Sequence, residues 1–253
     1  MADLIFLFQE IFDEIQAMSR IGAEFFTAET QESVFPQLVS VLESIRASRP
    51  ADPKTWSVPE VRPLRTIHSV GEYEPEGRRG VHTVFGEISF VWQIRCPQEP
   101  GPRSRPQKTF ALSGLSSTKI RVIERTEQGS RQLAMWRVEV GDSTAPGCHF
   151  HTQIEGESDD PPFPRSLSVP RLPTIVVTPM AAVEFLLAEI FQSQWQQHAA
   201  AETADMQRWK PIQKQRLLNL FEWQKRCIQA CIGSPWTAFK TYKPDADLFL
   251  RAG

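Results

Sequence analysis

Apolar positions recur along this chain with two different periods, and the change of period divides it. Leu4, Leu7, Phe8, Ile11, Phe12 and Ile15 return at intervals of three and four residues, with Glu10, Asp13, Glu14 and Gln16 between them, which predicts an amphipathic N-terminal helix. A second helix is expected where Ser33 can cap and Pro36 fits the first turn. Leu38, Leu42 and Ile45 line one side of it until Ser48-Arg49-Pro50 ends it. Pro50, Pro53, Pro59 and Pro63 cannot share a regular helix, so that stretch reads as a connector.

From His82 to Ile154 the period shifts towards two. Val84 to Ile94, Thr109 to Leu112, Lys119 to Arg125 and Leu133 to Val140 are rich in β-branched and aromatic residues. Turn chemistry separates them at Gln128-Gly129-Ser130 and from Gly141 to Gly147. The prediction is an antiparallel meander of about four to six strands. After Glu155 an acidic, proline-rich loop runs through Pro170 and Pro173. Thr178 then supplies an N-cap and Pro179 a first helical residue, and Val183, Leu186, Leu187, Ile190, Phe191 and Trp195 form an apolar stripe. A last helix is expected to open at Pro211, turn Leu217, Leu218, Phe221 and Ile228 inward, and stop at Gly233-Ser234-Pro235.

These elements add up to a single α+β domain, an antiparallel β-meander flanked by N-terminal and C-terminal helices. The expected order is helical over 1–49, proline-rich connector over 50–65, sheet over 66–156, proline-rich loop over 157–177, helical over 178–232 and a tail over 233–253. With 253 residues, seven Trp and sixteen Phe, the chain can build a substantial core. The acidic start Met1-Ala2-Asp3 has no basic leader, and no stretch approaches the roughly 20 apolar residues that span a bilayer. Cys96, Cys148, Cys227 and Cys231 show neither zinc-site spacing nor the density of a secreted disulfide scaffold. A reducing, cytoplasmic setting and no membrane association are the expectations that follow.

Charge changes the picture locally. The net charge of −2 excludes a uniformly basic surface. Yet Gly101 to Arg131 carries Arg103, Arg105, Lys108, Lys119, Arg121, Arg125 and Arg131 against Glu124 and Glu127 only. Lys119, Arg121 and Arg125 fall on one face of a strand, and with Arg103, Arg105 and Lys108 in the preceding loop they form a candidate contact for phosphates or an acidic partner. The last helix is also basic: Arg208, Lys210, Lys214, Arg216, Lys225 and Arg226 surround Trp209 and Trp223, with Glu222 against them. A solvated loop and strand face is the simpler description of the first region; in the second, aromatic-basic mixing can serve base stacking, yet tryptophans on an amphipathic helix are more often core. Cys227 and Cys231, four apart, read as packed residues.

The other candidate chemistry lies in Cys148-His149-Phe150-His151-Thr152-Gln153-Ile154-Glu155, where a period of two aligns His149, His151, Gln153 and Glu155. His149, His151 and Glu155 resemble the first motif of the cupin family, two alternating histidines followed by a glutamate. The resemblance implies that these three residues ligate a divalent metal such as Fe, Mn, Ni or Zn inside a barrel. It is confined to His149–Glu155. Gly141 lies further upstream than the family's glycine, and proline and then helix follow where the second motif belongs. The H-x-H pair is also similar to that of histidine-triad hydrolases, with Gln153 in place of their third histidine. An open antiparallel sheet with one wet face produces the same alternation. No Walker A loop, dinucleotide fingerprint or nucleophile elbow is present. The sequence therefore points first to a binding or assembly subunit that meets a protein partner or nucleic acid through its basic sheet face and basic last helix. A metal-dependent enzyme or sensor using His149, His151 and Glu155 is the alternative, with a divalent metal as its cofactor.

Overall fold

The computed structural model describes residues 4–70, 83–97, 108–114, 116–141, 148–154 and 172–250. In chain order its elements are β1 (Ile5–Leu7), α1 (Phe8–Ile21), α2 (Phe35–Ser48), β2 (Lys54–Val58), β3 (Leu64–Arg65), β4 (Ser69–Val70), β5 (Thr83–Arg95), β6 (Thr109–Leu112), β7 (Ser116–Thr126), β8 (Gly129–Val140), β9 (Phe150–Ile154), β10 (Leu172–Pro173), α3 (Pro179–Ala200), α4 (Ala204–Ala230) and the single turn α5 (Ala238–Thr241). The protein is α+β, with one antiparallel sheet and helices from both ends of the chain.

Strand β5 is the spine of the sheet. Along one edge it pairs with β7 from Thr83 to Val91 and with β6 at Ile94 and Arg95; along the other it takes β2, β3 and β4 in succession. From β7 the sheet continues through β8 and β9 to β10, and beyond β6 it ends in β1. The alternation read from Val84 to Ile94 works as expected on one face: Val84, Ile88, Phe90, Trp92 and Ile94 are all buried. Gly86 belongs to the same face because helix α3 lies against it. A Cβ there would stand 2.5 Å from Leu186 Cδ2 and 2.8 Å from Ile190 Cδ1.

Several elements differ from the local reading. Ile5-Phe6-Leu7 form β1, not helix, because Phe6 pairs opposite Phe110 and stacks on it at 5.7 Å. Ser33 lies inside a π-helical turn, Thr30–Val34, and Val34 occupies the N-cap of α2 without a side-chain cap. Within the expected connector, Pro53 and Pro59 bracket the edge strand β2, where prolines at strand ends remove no ladder hydrogen bond. Helix α3 starts as expected, with Thr178 Oγ1 accepting from the Ala181 amide at 3.2 Å. It kinks at Gln192, whose φ is 33°.

The last helix differs most. It begins at Ala204, capped by Thr203, so Pro211 lies inside it. Its inward residues are Met206, Trp209, Ile212, Arg216, Leu220, Trp223 and Cys227, whereas Leu218, Phe221 and Ile228 point to solvent and Leu217 is half-buried. The physical reason is Arg216, only 4% exposed. Its guanidinium pairs with Glu14 and, at 3.4 Å, with Glu10 Oε2, both from α1, and lies 5.6 Å from the centre of the Phe6 ring. Thr178 Oγ1 donates to the other Glu14 oxygen at 2.9 Å, which ties the start of α3 to the same group. Since α1 touches α2, α3 and α4, helices from both chain ends meet in one assembly beside the sheet.

Candidate functional site

The histidine strand begins two residues later than the sequence suggested, at Phe150. His149 lies in the bend before β9, its ring edge-on to Phe150 at 5.0 Å, so the alternating register starts at Phe150. His151 sits opposite Glu139 of β8 and is 1% exposed. Its Nδ1 faces the Cys148 carbonyl at 2.8 Å and its Nε2 faces Glu139 Oε2 at 3.0 Å. Both ring nitrogens of His151 are thus engaged by neighbouring oxygen atoms. Glu139 Oε1 also has the Arg137 guanidinium at 3.6 Å. No group of three or more His, Cys, Asp or Glu side chains among the described residues is arranged to hold a metal ion, and Glu155 lies outside them. The arrangement is a buried polar lock between β8 and β9. Beside it, burial pushes the Cys148 thiol pKa up, away from the reactive thiolate form.

The basic strand residues do share one face of the sheet, because β7 runs unbroken against β5 from Ser117 to Arg125. Their charges are largely answered there. Arg121 Nη2 reaches Glu87 Oε2 at 2.6 Å, and Arg65 of β3 places Nε and Nη2 on Glu87 Oε1 at 2.8 and 2.5 Å. Lys119 Nζ donates to Glu60 Oε1 at 2.6 Å, and that bond holds the Glu60 carboxyl below its usual range. On the neighbouring hairpin Arg131 grips Glu124 at 2.7 Å. The Arg125 side chain is exposed and makes no hydrogen bond or ion pair among the described residues. Lys108 is exposed just before β6, while Arg103 and Arg105 lie outside the described residues. A run of like charges in sequence has become a lattice of cross-strand pairs, each of modest worth at a surface.

The outer face of α4 is the larger exposed feature. Leu218 is 53% exposed, Phe221 49%, Ile228 47%, and Ile232, just past the helix, is fully open. Lys214 and Lys225 fall in the same line, four residues before Leu218 and four after Phe221, with exposed Lys210 at its edge. Glu222 is the acid beside this line, 3.5 Å from Lys225. The fold thus gives α4 two apolar faces: one packed against α1, one in water. The sequence does carry the inward signal, since Trp209, Arg216, Leu220, Trp223 and Cys227 also have helical spacing. The arginine among them masks it.

Comparison of the chain with protein families, with curated proteins and with solved structures finds no match.

Proposed function

We propose that the chain is a binding or assembly subunit that engages a protein partner through the outer face of α4, and that the partner offers an acidic amphipathic helix. The observation that carries this reading is the exposed line of Leu218, Phe221, Ile228 and Ile232 with Lys214 and Lys225 set within it. Covering such side chains is favourable by about 25 cal/mol per Å² of apolar surface. The lysines select what covers them. A second copy of this chain would set lysine against lysine, and lipid tails would leave Lys214 and Lys225 without counter-charges at the depth of the apolar residues. A nucleic-acid backbone would meet the lysines and leave the apolar side chains in water. A partner helix with leucines at three- and four-residue spacing and flanking glutamates answers both requirements.

The test is anisotropy of a labelled, helical synthetic peptide of that composition, with duplex DNA, single-stranded RNA and phosphatidylserine vesicles measured in parallel. Saturable peptide binding should weaken about tenfold or more in Lys214→Glu/Lys225→Glu and in Phe221→Ser, the size of loss seen when an interface anchor goes. Both variants should melt like the parent because their side chains are exposed. Absence of saturable binding overturns the proposal. So does binding that ignores these variants, or tighter binding to nucleic acid or vesicles than to the peptide.

A further inference from the structure

At the Thr83 end of β5, β3, β5 and the β7–β8 hairpin enclose an open cleft of about 490 Å³, lined by Thr27, Arg65, Thr66, His68, Phe85, Arg125 and the residues of the turn. Phe85 forms its floor. The Arg65 guanidinium lies 5.4 Å from the centre of that ring, and the His68 imidazole stands edge-on to it at 5.2 Å. Two cation-forming groups therefore converge on one phenyl ring, and exposed Arg125 closes the far wall. The hairpin is pinned by Thr126 Oγ1 donating to the Gly129 carbonyl at 3.2 Å.

The threonine hydroxyls of the wall are already engaged. Thr66 Oγ1 donates to the Ile67 carbonyl and accepts from the Gly86 amide, while Thr27 Oγ1 donates to Thr30. The free nitrogen donors among the lining side chains are Arg125, the part of Arg65 not given to Glu87, and His68. Glu127 is the acid among the lining residues, and Glu87 is shared between Arg65 and Arg121.

We propose that this cleft binds a small phosphomonoester, its phosphoryl group held between the Arg65 and Arg125 guanidinium groups with His68 as a third donor and its organic part against Phe85. A carboxylate is satisfied by a single guanidinium fork. A phosphoryl group brings nearly two negative charges and three acceptor oxygens, which suits three separated donors. The state of His68 in the free protein agrees. Burial first, then the charges of Arg125 and Arg65, hold its imidazole below the ordinary histidine range. A dianion between the two arginines would offset those charges and favour the protonated ring, so binding should draw a proton onto His68.

Calorimetry of the full chain with phenyl phosphate, inorganic phosphate and benzoate tests this, together with an NMR pH titration of the His68 ring with and without phenyl phosphate. The expected result is saturable one-to-one binding of phenyl phosphate, weaker binding of inorganic phosphate, and a rise in the His68 pKa on saturation. Arg125→Gln should weaken binding about tenfold or more, the loss expected for one charge-assisted hydrogen bond, without changing the melting temperature. Lack of saturation, indifference to Arg125→Gln, benzoate binding as tightly as phenyl phosphate, or an unmoved His68 titration each overturns the proposal. Lys214→Glu/Lys225→Glu on α4 should leave this binding intact, which separates the cleft from the partner face.

Discussion

At the residue scale the molecule is governed by where single polar groups are buried. Glu184 of α3 accepts from the Trp209 indole Nε1–H at 2.9 Å, yet burial outweighs that bond and pushes its carboxyl pKa up. A raised folded pKa means that the contribution of Glu184 to stability is full below its unfolded pKa. It is then lost as pH rises through the folded value. Glu184→Gln keeps an acceptor for Trp209 and removes the buried charge. It should raise the melting temperature at pH 7.5 by on the order of 2–4 °C, the shift about 1 kcal/mol gives a chain of this size, and the gain should vanish below pH 4. Thermal melts of both proteins at the two pH values check this, and an equal gain at both would refute the assignment. His151 makes the same point for legibility. Its alternation with His149 was plain in the sequence, but its actual partners, the Cys148 carbonyl and the Glu139 carboxylate, come from a bend and a neighbouring strand. Spacing along one strand carries no record of the strand beside it.

At the scale of elements, the start of α3 and the strand character of Val84 to Ile94 were readable because caps and period-two alternation are local. The orientation of α4 was not. Taken alone, its side with Leu217, Leu218, Phe221 and Ile228 is a good core face, and the side with Arg216 is not. Glu14, fully buried and 202 positions away in α1, reverses that ranking by supplying the counter-charge. Arg216→Met should therefore cost about 3–5 kcal/mol in urea unfolding, since Glu14 and Glu10 would be left buried without their cation. Arg216→Met combined with Glu14→Gln should recover a sizeable part of that loss. If the single variant unfolds like the parent, α4 is not held by this charge cluster. The basic face of β7 follows the same logic: its residues are aligned as the sequence implied, but Glu60 and Glu87 reach Lys119 and Arg121 from other elements.

For the whole molecule, one hydrophobic core runs from Leu4 to Phe249, and its closures are long-range. Phe6 meets Phe110 and Phe249, and α1 meets α4. Neither chain end can leave without exposing the other, so unfolding should be a single cooperative transition in calorimetry, with calorimetric and van't Hoff enthalpies in agreement. Two separated transitions would show that the helical assembly and the sheet are independent. No described helix is long and apolar enough to cross a membrane. Taken by itself, the sequence determined the α+β class, the central antiparallel strands and the cap of α3, because backbone propensity, side-chain period and capping act over a few residues. Only the tertiary structure decided which side of α4 faces water, which basic residues keep unanswered charge, and that Arg65 and His68 meet at one phenyl ring in a cleft that Arg125 also lines. Those outcomes depend on counter-charges and packing partners brought from distant positions, and the burial of a polar group is settled by what finally surrounds it.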